Sequence, residues 1–226
     1  GIQRNKKIKA VIFDMDGLMF DTEVVAAEMW KQAGKEAGPT ITDEFLSHIK
    51  GCNWTRSRVW FYKYYDESYD FFAIRTRRME LVNRYLTENG VPVKKGLREL
   101  LSYLKERDYR IVLATSTYEE YAMRYLEQTD VRKYFDGYVC GDMVTKSKPD
   151  PEIFHKAAAI AGAAPDECVV LEDSFNGIEA ACAGGFVPVM VPDLDEPTDE
   201  IRAKLAARCD NLLDVMDFLE ERQQEK

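Results

Sequence analysis

From residue 97 onward, short apolar runs alternate with segments that have the composition and spacing of helices. The leucines from Leu97 to Leu104 follow the i, i+3, i+4, i+7 spacing of one helix face. We predict strands over residues 109–114, 134–140, 168–171 and 186–191, and helices over 118–128, 151–161, 174–183, 201–207 and 213–222. This alternation predicts an α/β fold, with a doubly wound, Rossmann-like sheet of parallel strands.

One further strand is predicted over residues 8–13, far from the others in sequence. The residues that follow it show only helical patterns, over 22–37, 42–49, 54–65 and 69–87, before Asn89-Gly90 and Pro92 break them. We therefore predict an all-helical cap domain at residues 23–92. It is inserted into one α/β core made of residues 1–22 and 93–226.

Charge and cysteine content narrow the classes of partner. The 226 residues carry a formal net charge of −9, which argues against nucleic acid or an anionic membrane as the main partner, because both need a basic face. No apolar run approaches membrane-spanning length. The five cysteines form no CxxC pair and are odd in number, which is typical of reduced thiols. We expect a cytoplasmic monomer that acts on a small molecule.

Polar residues with catalytic potential follow three of the predicted strands, at the edge where open α/β sheets bind ligands. The first strand ends in Asp14-Met15-Asp16-Gly17. The strand over 109–114 is followed by Thr115-Ser116-Thr117, and the strand over 168–171 by Glu172-Asp173. Lys148 lies between them in sequence, just before a predicted helix.

Clustered carboxylates repel each other unless positive charge lies among them. Mg²⁺ binds oxygen ligands, typically one or two carboxylates with waters and substrate phosphate, so we predict it here together with Lys148. An aspartate such as Asp14 can attack phosphorus when the metal and the lysine make the phosphoryl group electrophilic. Asp16 can then protonate the leaving oxygen and later activate water.

The remaining residues of these segments fit the binding of a phosphoryl group. Gly17 permits a tight turn after the aspartates. The hydroxyl of Thr115 and the backbone amides of Ser116 and Thr117, which lead into a helix, can hold phosphate oxygens. Taken alone, Asp16-Gly17 is equally compatible with a plain turn, whereas a helix cap at Thr115 to Thr117 and a loop at Lys148 are the better interpretations. The prediction depends on the segments occurring together.

The stretches FDMDGLMFDTE, VLATST, KSKPDPEIF and VVLEDSFNGIEAA resemble the four motifs of the haloacid dehalogenase superfamily. They look most like its branch of β-phosphoglucomutases and sugar-phosphate phosphatases, which carry a helical cap between the first two motifs. The resemblance covers nearly the whole chain. It implies that Asp14 is the nucleophile, that Asp16 is the acid and base, and that Thr115 and Lys148 bind the phosphoryl group.

The same resemblance implies a set of magnesium ligands. These are Asp14, the backbone carbonyl of Asp16, and Asp173, with Glu172 as a further ligand or a supporting carboxylate. Dehalogenases lack the second aspartate of the first motif, so Asp16 favours phosphoryl transfer.

The predicted cap contains several arginines that could bind substrate. KGCNWTRSR resembles a mutase segment whose arginine holds the distal phosphate of the substrate, which points to Arg56. A second cap cation is usual further along the chain. Arg77 or Arg78 could fill that position, and we select Arg78. For each arginine, a solvated helix face is an equally good interpretation.

Mutases of this branch carry a histidine shortly after the threonine of the first motif, but Val24-Val25-Ala26-Ala27 follows Thr22-Glu23 here. The sequence therefore favours a Mg²⁺-dependent phosphatase that hydrolyses a small phosphorylated metabolite, a sugar phosphate by resemblance, through an aspartyl-phosphate. A β-phosphoglucomutase-like mutase is the alternative. A non-enzymatic, phospho-accepting receiver module is a third interpretation, and the helical insertion argues against it because receivers have none.

Overall fold

The computed structural model describes residues 5–224 of the chain. Its helices and strands are, in chain order, β1 (Ala10–Phe13), α1 (Glu23–Ala37), α2 (Asp43–Ile49), α3 (Trp54–Tyr64), α4 (Phe71–Asn89), α5 (Leu97–Glu106), β2 (Arg110–Ala114), α6 (Glu119–Gln128), β3 (Gly137–Val139), α7 (Glu152–Ala161), β4 (Cys168–Glu172), α8 (Phe175–Ala183), β5 (Val187–Met190), α9 (Asp199–Arg202), β6 (Ala207–Arg208) and α10 (Leu212–Gln224).

The strands form one six-stranded sheet in the order β3-β2-β1-β4-β5-β6, and every neighbouring pair is parallel. β1 lies between β2 and β4, and Phe13 at its end is opposite Leu113 and Leu171. The carboxyl ends of these three strands are therefore adjacent. The predicted fold class, a doubly wound parallel sheet with a helical insertion, is confirmed.

Both faces of β1 are buried, which explains its uninterrupted apolar sequence. Val11 and Phe13 belong to the hydrophobic cluster that includes α5, α6 and α10. Ala10 and Ile12 belong to the opposite cluster, which includes α7 and α8. All four side chains are fully buried, so β1 holds the residue after it at the centre of the molecule.

The predicted cap, called here the helical insertion (residues 23–92), contains α1 to α4 and its own aromatic cluster. Trp30, Phe45, Phe61 and Phe71 are buried in that cluster. Three of its helices have an N-cap side chain. The side chains of Thr42, Asn53 and Asp70 accept hydrogen bonds from backbone N–H groups in the first turn of α2, α3 and α4.

The chain enters and leaves the helical insertion side by side. The N–H of Asp21 donates to the carbonyl oxygen of Pro92 at 2.9 Å. Val82 and Leu86, in the second half of α4, belong to the same hydrophobic cluster of the core as Val11 and Phe13. The domain boundaries at residues 23 and 92 stay a prediction.

Two predicted elements differ from the structure. The helix predicted over residues 201–207 is wrong beyond Arg202, because Ala207 and Arg208 instead form β6 and pair with β5. A two-residue strand is too short to show a periodic pattern. The strand predicted over 134–140 is shorter, since Arg132–Tyr134 is a 3-10 turn and only Gly137–Val139 is extended.

Residues 1–4 and 225–226, which were predicted to belong to the α/β core, lie outside the described residues. Within residues 5–224, every helix is too short or too polar to span a bilayer.

Candidate active site

Asp14 lies directly after β1, at the centre of the sheet. Its N–H donates to the carbonyl oxygen of Leu171 at 3.1 Å, which extends the pairing with β4 by one residue. The side chain is buried, with 6% of its surface exposed. The structure thus places the candidate nucleophile at the middle of the edge where the strands end.

Lys148 reaches this aspartate from the loop before α7. Its Nζ donates to Asp14 Oδ1 at 3.1 Å, to Glu172 Oε1 at 2.6 Å and to the carbonyl oxygen of Ala114 at 3.4 Å. Burial alone would lower the pKa of Lys148, but the charges of Asp14 and Glu172 outweigh it and raise that pKa above its ordinary value. The lysine is therefore a fixed positive charge among carboxylates.

Three of the four predicted magnesium ligands lie together. One carboxylate oxygen from each of Asp14, Glu172 and Asp173 is within 4.8 Å of the others, and all three side chains are buried. Burial, followed by the charge of Asp14, raises the pKa of Glu172 to about 7 and that of Asp173 well above its ordinary value. Lys148 is one positive charge against three carboxylates, so the cluster lacks cationic charge.

The donor set of this cluster fits a hard divalent cation. Asp173 Oδ2 is buried and accepts no hydrogen bond from the described residues, and such an orphaned oxygen is costly unless a ligand satisfies it. Glu172 Oε1 is already bound to Lys148. Asp14 and Asp173 are thus the carboxylates best placed to bind Mg²⁺, with Glu172 holding the lysine beside them.

Two glycines make room for these carboxylates. Gly17 has φ +84, and a Cβ there would lie 2.1 Å from Asp173 Oδ2 and 2.9 Å from Glu23 Cγ. At Gly177, on α8, a Cβ would lie 2.0 Å from Glu172 Cδ. Gly17 was singled out in the sequence, whereas Gly177 was missed because a glycine inside a helical pattern carries no signal of a close contact.

Asp16 bridges two segments of the site through its carboxyl group. Oδ1 accepts from Thr22 Oγ1 at 2.8 Å, and Oδ2 accepts from Thr117 Oγ1 at 2.6 Å. Burial raises the pKa of Asp16, the two hydroxyl donors partly oppose this shift, and the charge of Asp14 adds to it. A shift in this direction is the one that the role of general acid requires. Thr22 was missed as a partner of Asp16.

The Thr115-Ser116-Thr117 segment lies beside Asp14 but makes contacts of its own. Thr115 is buried, and its Oγ1 accepts from the N–H of Thr117 at 3.1 Å. Ser116 Oγ donates to the carbonyl oxygen of Gly51 at 2.8 Å, in the helical insertion. The structure brings all three residues to the site, and their phosphate-binding roles stay predictions.

One loop of the helical insertion, residues 50–53, closes the site from above. The N–H of Asn53 donates to Ser147 Oγ at 2.7 Å, next to Lys148. Asn176 Nδ2 donates to the carbonyl oxygen of Lys50 at 3.0 Å, and Lys50 Nζ donates to Asp195 Oδ2 at 3.1 Å. Insertion and core together enclose a cavity of about 360 Å³, which is lined by Asp14, Asp16 and Thr115 to Thr117.

The arginines selected from the sequence have different positions. Arg56, in the first turn of α3, is exposed and is not among the residues that line the cavity. Trp54 and Ser57, one turn apart, face the cavity instead. Arg77 forms ion pairs on the outside, with its Nε 2.9 Å from Glu36 Oε2. The charge of Arg56 nevertheless acts on Cys52, which lines the cavity. Arg56 therefore lies at the exposed edge of the site, and its role as a substrate contact stays a prediction.

Arg78 does line the cavity, together with Arg75 one turn earlier on α4. Arg78 lies over the ring of Trp30 at 5.0 Å, and Arg75 over the ring of Tyr118 at 4.8 Å. Arg78 Nε is buried without an acceptor within residues 5–224. Burial and the charge of Arg75 lower the pKa of Arg78 to about 10. Arg75 is bound to Tyr118, whereas Arg78 keeps an unpaired Nε, and the two guanidinium groups give this part of the cavity positive charge.

Glu23, the first residue of α1, also lines the cavity and was missed as a site residue. Burial, followed by the negative charge of Asp16, raises the pKa of Glu23 to about 8. It follows Thr22 directly, and an acidic residue in the first turn of a helix is common for reasons of helix stability alone. Because helix stability already explains an acidic residue at this position, Glu23 could not be recognised as a site residue from the sequence.

Clustered carboxylates lie at one edge of a parallel sheet, with a buried lysine among them and a helical insertion over them. These features are typical of α/β enzymes with an acidic active site. The family model of the haloacid dehalogenase-like hydrolases matches residues 11–191. The chain therefore belongs to the haloacid dehalogenase-like hydrolases, as the sequence motifs predicted.

Named relatives cover most of the chain. It is 33% identical over 183 residues to a phosphorylated carbohydrates phosphatase from Thermotoga maritima. The alignment covers 79% of this chain and 82% of the relative. It is 28% identical to hexitol phosphatase B from Escherichia coli, over 86% of this chain and 88% of the relative. A solved β-phosphoglucomutase from Clostridium difficile superposes with a TM-score of 0.81 at 22% identity, over 96% of this chain and 97% of that structure, which shows a common fold.

Proposed function

We propose that this protein is a Mg²⁺-dependent phosphatase that hydrolyses a phosphorylated carbohydrate through an aspartyl-phosphate on Asp14. The observation that carries the proposal is the position of Asp14, which lies 3.1 Å from Lys148 Nζ and within the cluster formed with Glu172 and Asp173. Family membership and the named phosphatase relatives support the enzyme class, a phosphoric monoester hydrolase. The relatives also support carbohydrate phosphates as the substrate class.

The first step transfers the phosphoryl group to the enzyme. A carboxylate oxygen of Asp14 attacks phosphorus, and the bond between phosphorus and the ester oxygen breaks. The departing oxygen takes a proton from the carboxyl group of Asp16, so the alcohol leaves neutral. Thr22 and Thr117 hold that carboxyl group in place.

The second step reverses these roles. Asp16, now a carboxylate, takes a proton from water, and the water oxygen attacks phosphorus. The bond between phosphorus and Asp14 breaks, and inorganic phosphate leaves. Lys148 stays beside Asp14 throughout and offsets the charge of the phosphoryl oxygens.

Mg²⁺, when bound, would supply further positive charge to the phosphoryl group. Asp14, Asp173 and the backbone carbonyl of Asp16 are the residues that would hold it, as the sequence predicted. The orphaned Asp173 Oδ2 supports this assignment.

The helical insertion would select the rest of the substrate. Arg78, joined by Arg75, lines the cavity on α4, and its positive charge is suited to a polar or anionic group of the substrate. We propose residues 23–92 as a domain that closes over the site and excludes water from it. We also propose a cytoplasmic monomer. All five cysteines are free, which fits a reducing compartment.

Phosphatase is favoured over mutase because α1 offers no histidine near Asp16. Ala26 and Ala27, in the first turns of α1, line the cavity where such a side chain would have to lie. A phospho-accepting receiver is disfavoured because the helical insertion encloses the site.

The test is release of inorganic phosphate from a panel of sugar phosphates, with Mg²⁺ and with a chelator, and with Asp14→Asn as the blank. Release that needs both Mg²⁺ and Asp14 would support the proposal. Conversion of β-glucose 1-phosphate to glucose 6-phosphate without phosphate release, once a bisphosphate primer is added, would identify a mutase instead.

A further inference from the structure

Glu23 occupies a position in the cavity that the proposed mechanism does not use. Its side chain is held against the turn at Gly17, where a Cβ would come within 2.9 Å of Glu23 Cγ. It follows Thr22, whose hydroxyl is bound to Asp16. Glu23 therefore lies next to the residue proposed to protonate the ester oxygen.

The carboxyl group of Glu23 has no hydrogen bond or ion pair with another residue in the described range 5–224. Lys50 is the cation whose charge acts most strongly on Glu23, but its Nζ is bound to Asp195 Oδ2 at 3.1 Å. A substrate that displaces water from this half-buried carboxyl group leaves an acceptor unpaired, which is costly unless the substrate supplies a donor. In either protonation state the group keeps an acceptor oxygen that can receive such a bond.

The charged residues around Glu23 restrict which chemical group of a bound molecule can pair with its carboxyl group. An anionic group would be repelled by Asp14 and Asp16, which act on Glu23. An ammonium group would lie close to Lys50 and Arg78, whose charges also act on Glu23. A neutral hydroxyl donor satisfies the acceptor without either repulsion.

We propose that Glu23 determines specificity by accepting a hydrogen bond from a hydroxyl on the carbon next to the phosphate-bearing carbon. This inference rests on the proposed phosphatase function and narrows its substrates to phosphate esters of vicinal polyols. The position follows from the proposed mechanism, in which Asp16 protonates the ester oxygen, together with the place of Glu23 in the same cavity.

The experiment compares kcat/KM for three substrates that differ in one group. They are glycerol 3-phosphate, 3-hydroxypropyl phosphate, which lacks the middle hydroxyl, and 2-amino-3-hydroxypropyl phosphate, which carries an ammonium there. We expect the wild-type protein to prefer glycerol 3-phosphate over 3-hydroxypropyl phosphate by at least about tenfold, since an unpaired buried acceptor penalises the analogue. In Glu23→Leu this ratio should fall to about one, and in Glu23→Gln it should be intermediate.

Because each ratio is measured on one preparation, a loss of folded enzyme cancels from it. Asp43→Asn is the matched control, since Asp43 lines the same cavity but is already paired with Lys31 at 2.7 Å, and it should keep the wild-type ratio. A wild-type ratio below about two, or a ratio unchanged in Glu23→Leu, would overturn the inference. So would a clear preference for the ammonium analogue.

Failure of the proposed function gives a different result. The wild-type protein would then release no Mg²⁺-dependent phosphate from any of the three esters. Equal release from glycerol 3-phosphate and 3-hydroxypropyl phosphate would instead leave the phosphatase standing and remove only the role of Glu23.

Discussion

Lys148→Met should destabilise the protein strongly when no Mg²⁺ is present. Nζ of Lys148 lies 2.6 Å from Glu172 Oε1 and 3.1 Å from Asp14 Oδ1. At an effective dielectric constant of about 20, these attractions amount to about 6 and about 5 kcal/mol. Much of this offsets the cost of burying the charges, so removing one partner of such a group costs about 3–5 kcal/mol.

The assay is thermal unfolding in EDTA at pH 7.5 and at pH 5.5. A loss of that size lowers Tm by about 6–20 °C in a chain of this length. The pKa of Glu172 is already raised to about 7 with the lysine present. A carboxyl group whose pKa is raised by folding stabilises the folded state while it is protonated, and this contribution is lost as the pH rises through that pKa. Without the lysine, Glu172 can avoid an unpaired charge at pH 5.5 by being protonated. The stability lost in Lys148→Met should therefore be smaller at pH 5.5 than at pH 7.5.

Glu172→Gln provides the control for this reasoning. It keeps an acceptor for Lys148 and removes one of the charges that the lysine balances, so adding Lys148→Met to it should cost less than in the wild type. A drop in Tm below about 3 °C at pH 7.5, or an equal drop at both pH values, would refute the charge-compensation argument.

Three further predictions concern turnover, the binding of Mg²⁺ and Arg78 as a substrate contact. Asp14→Asn should abolish phosphate release while its circular dichroism stays that of the wild type, because it removes the nucleophile and one charge from a crowded cluster; full turnover would show that another group attacks. Mg²⁺ added to EDTA-treated protein should raise Tm more at pH 8 than at pH 5.5, since the pKa of Glu172 is raised to about 7, that of Asp173 is shifted in the same direction, and protons then compete with the metal in acid. An equal rise at both pH values, with NaCl of matched ionic strength as the control, would contradict this. Arg78→Ala should raise KM at least about tenfold for a bisphosphate substrate and leave kcat much less affected, whereas Arg77→Ala, whose guanidinium pairs with Glu36 on the outside, should change neither. Equal effects of the two variants would argue against Arg78 as a substrate contact.

Local sequence was enough to predict which residues meet at the edge of the sheet. A strand buried on both faces must be short and apolar, and the residue after it must lie where parallel strands end. Asp14, Thr115 and Glu172 each follow such a strand, and the parallel register of β1 with β2 and β4 brings them together. Lys148 was predicted from its motif, and the structure shows the buried position that lets it contact Asp14 and Glu172.

Partners that depend on the orientation of distant elements could not be predicted in this way. Arg56, Arg77 and Arg78 are similar in local sequence, but only the packing of α3 and α4 decides that Arg78 lines the cavity while Arg56 is exposed near Cys52. Glu23 reads as an ordinary first-turn acid until the fold of the helical insertion places it beside Asp16.

The sequence by itself therefore determined five of the six strands, the edge that carries the candidate site and the charge repulsion among its carboxylates. Those features arise from hydrophobic periodicity and from residues adjacent to strands, and both are local properties of the chain. The tertiary structure alone decided which insertion residues line the cavity, because helix orientation depends on contacts between residues far apart in sequence. It also decided the short edge strand β6, which exists only through its pairing with β5.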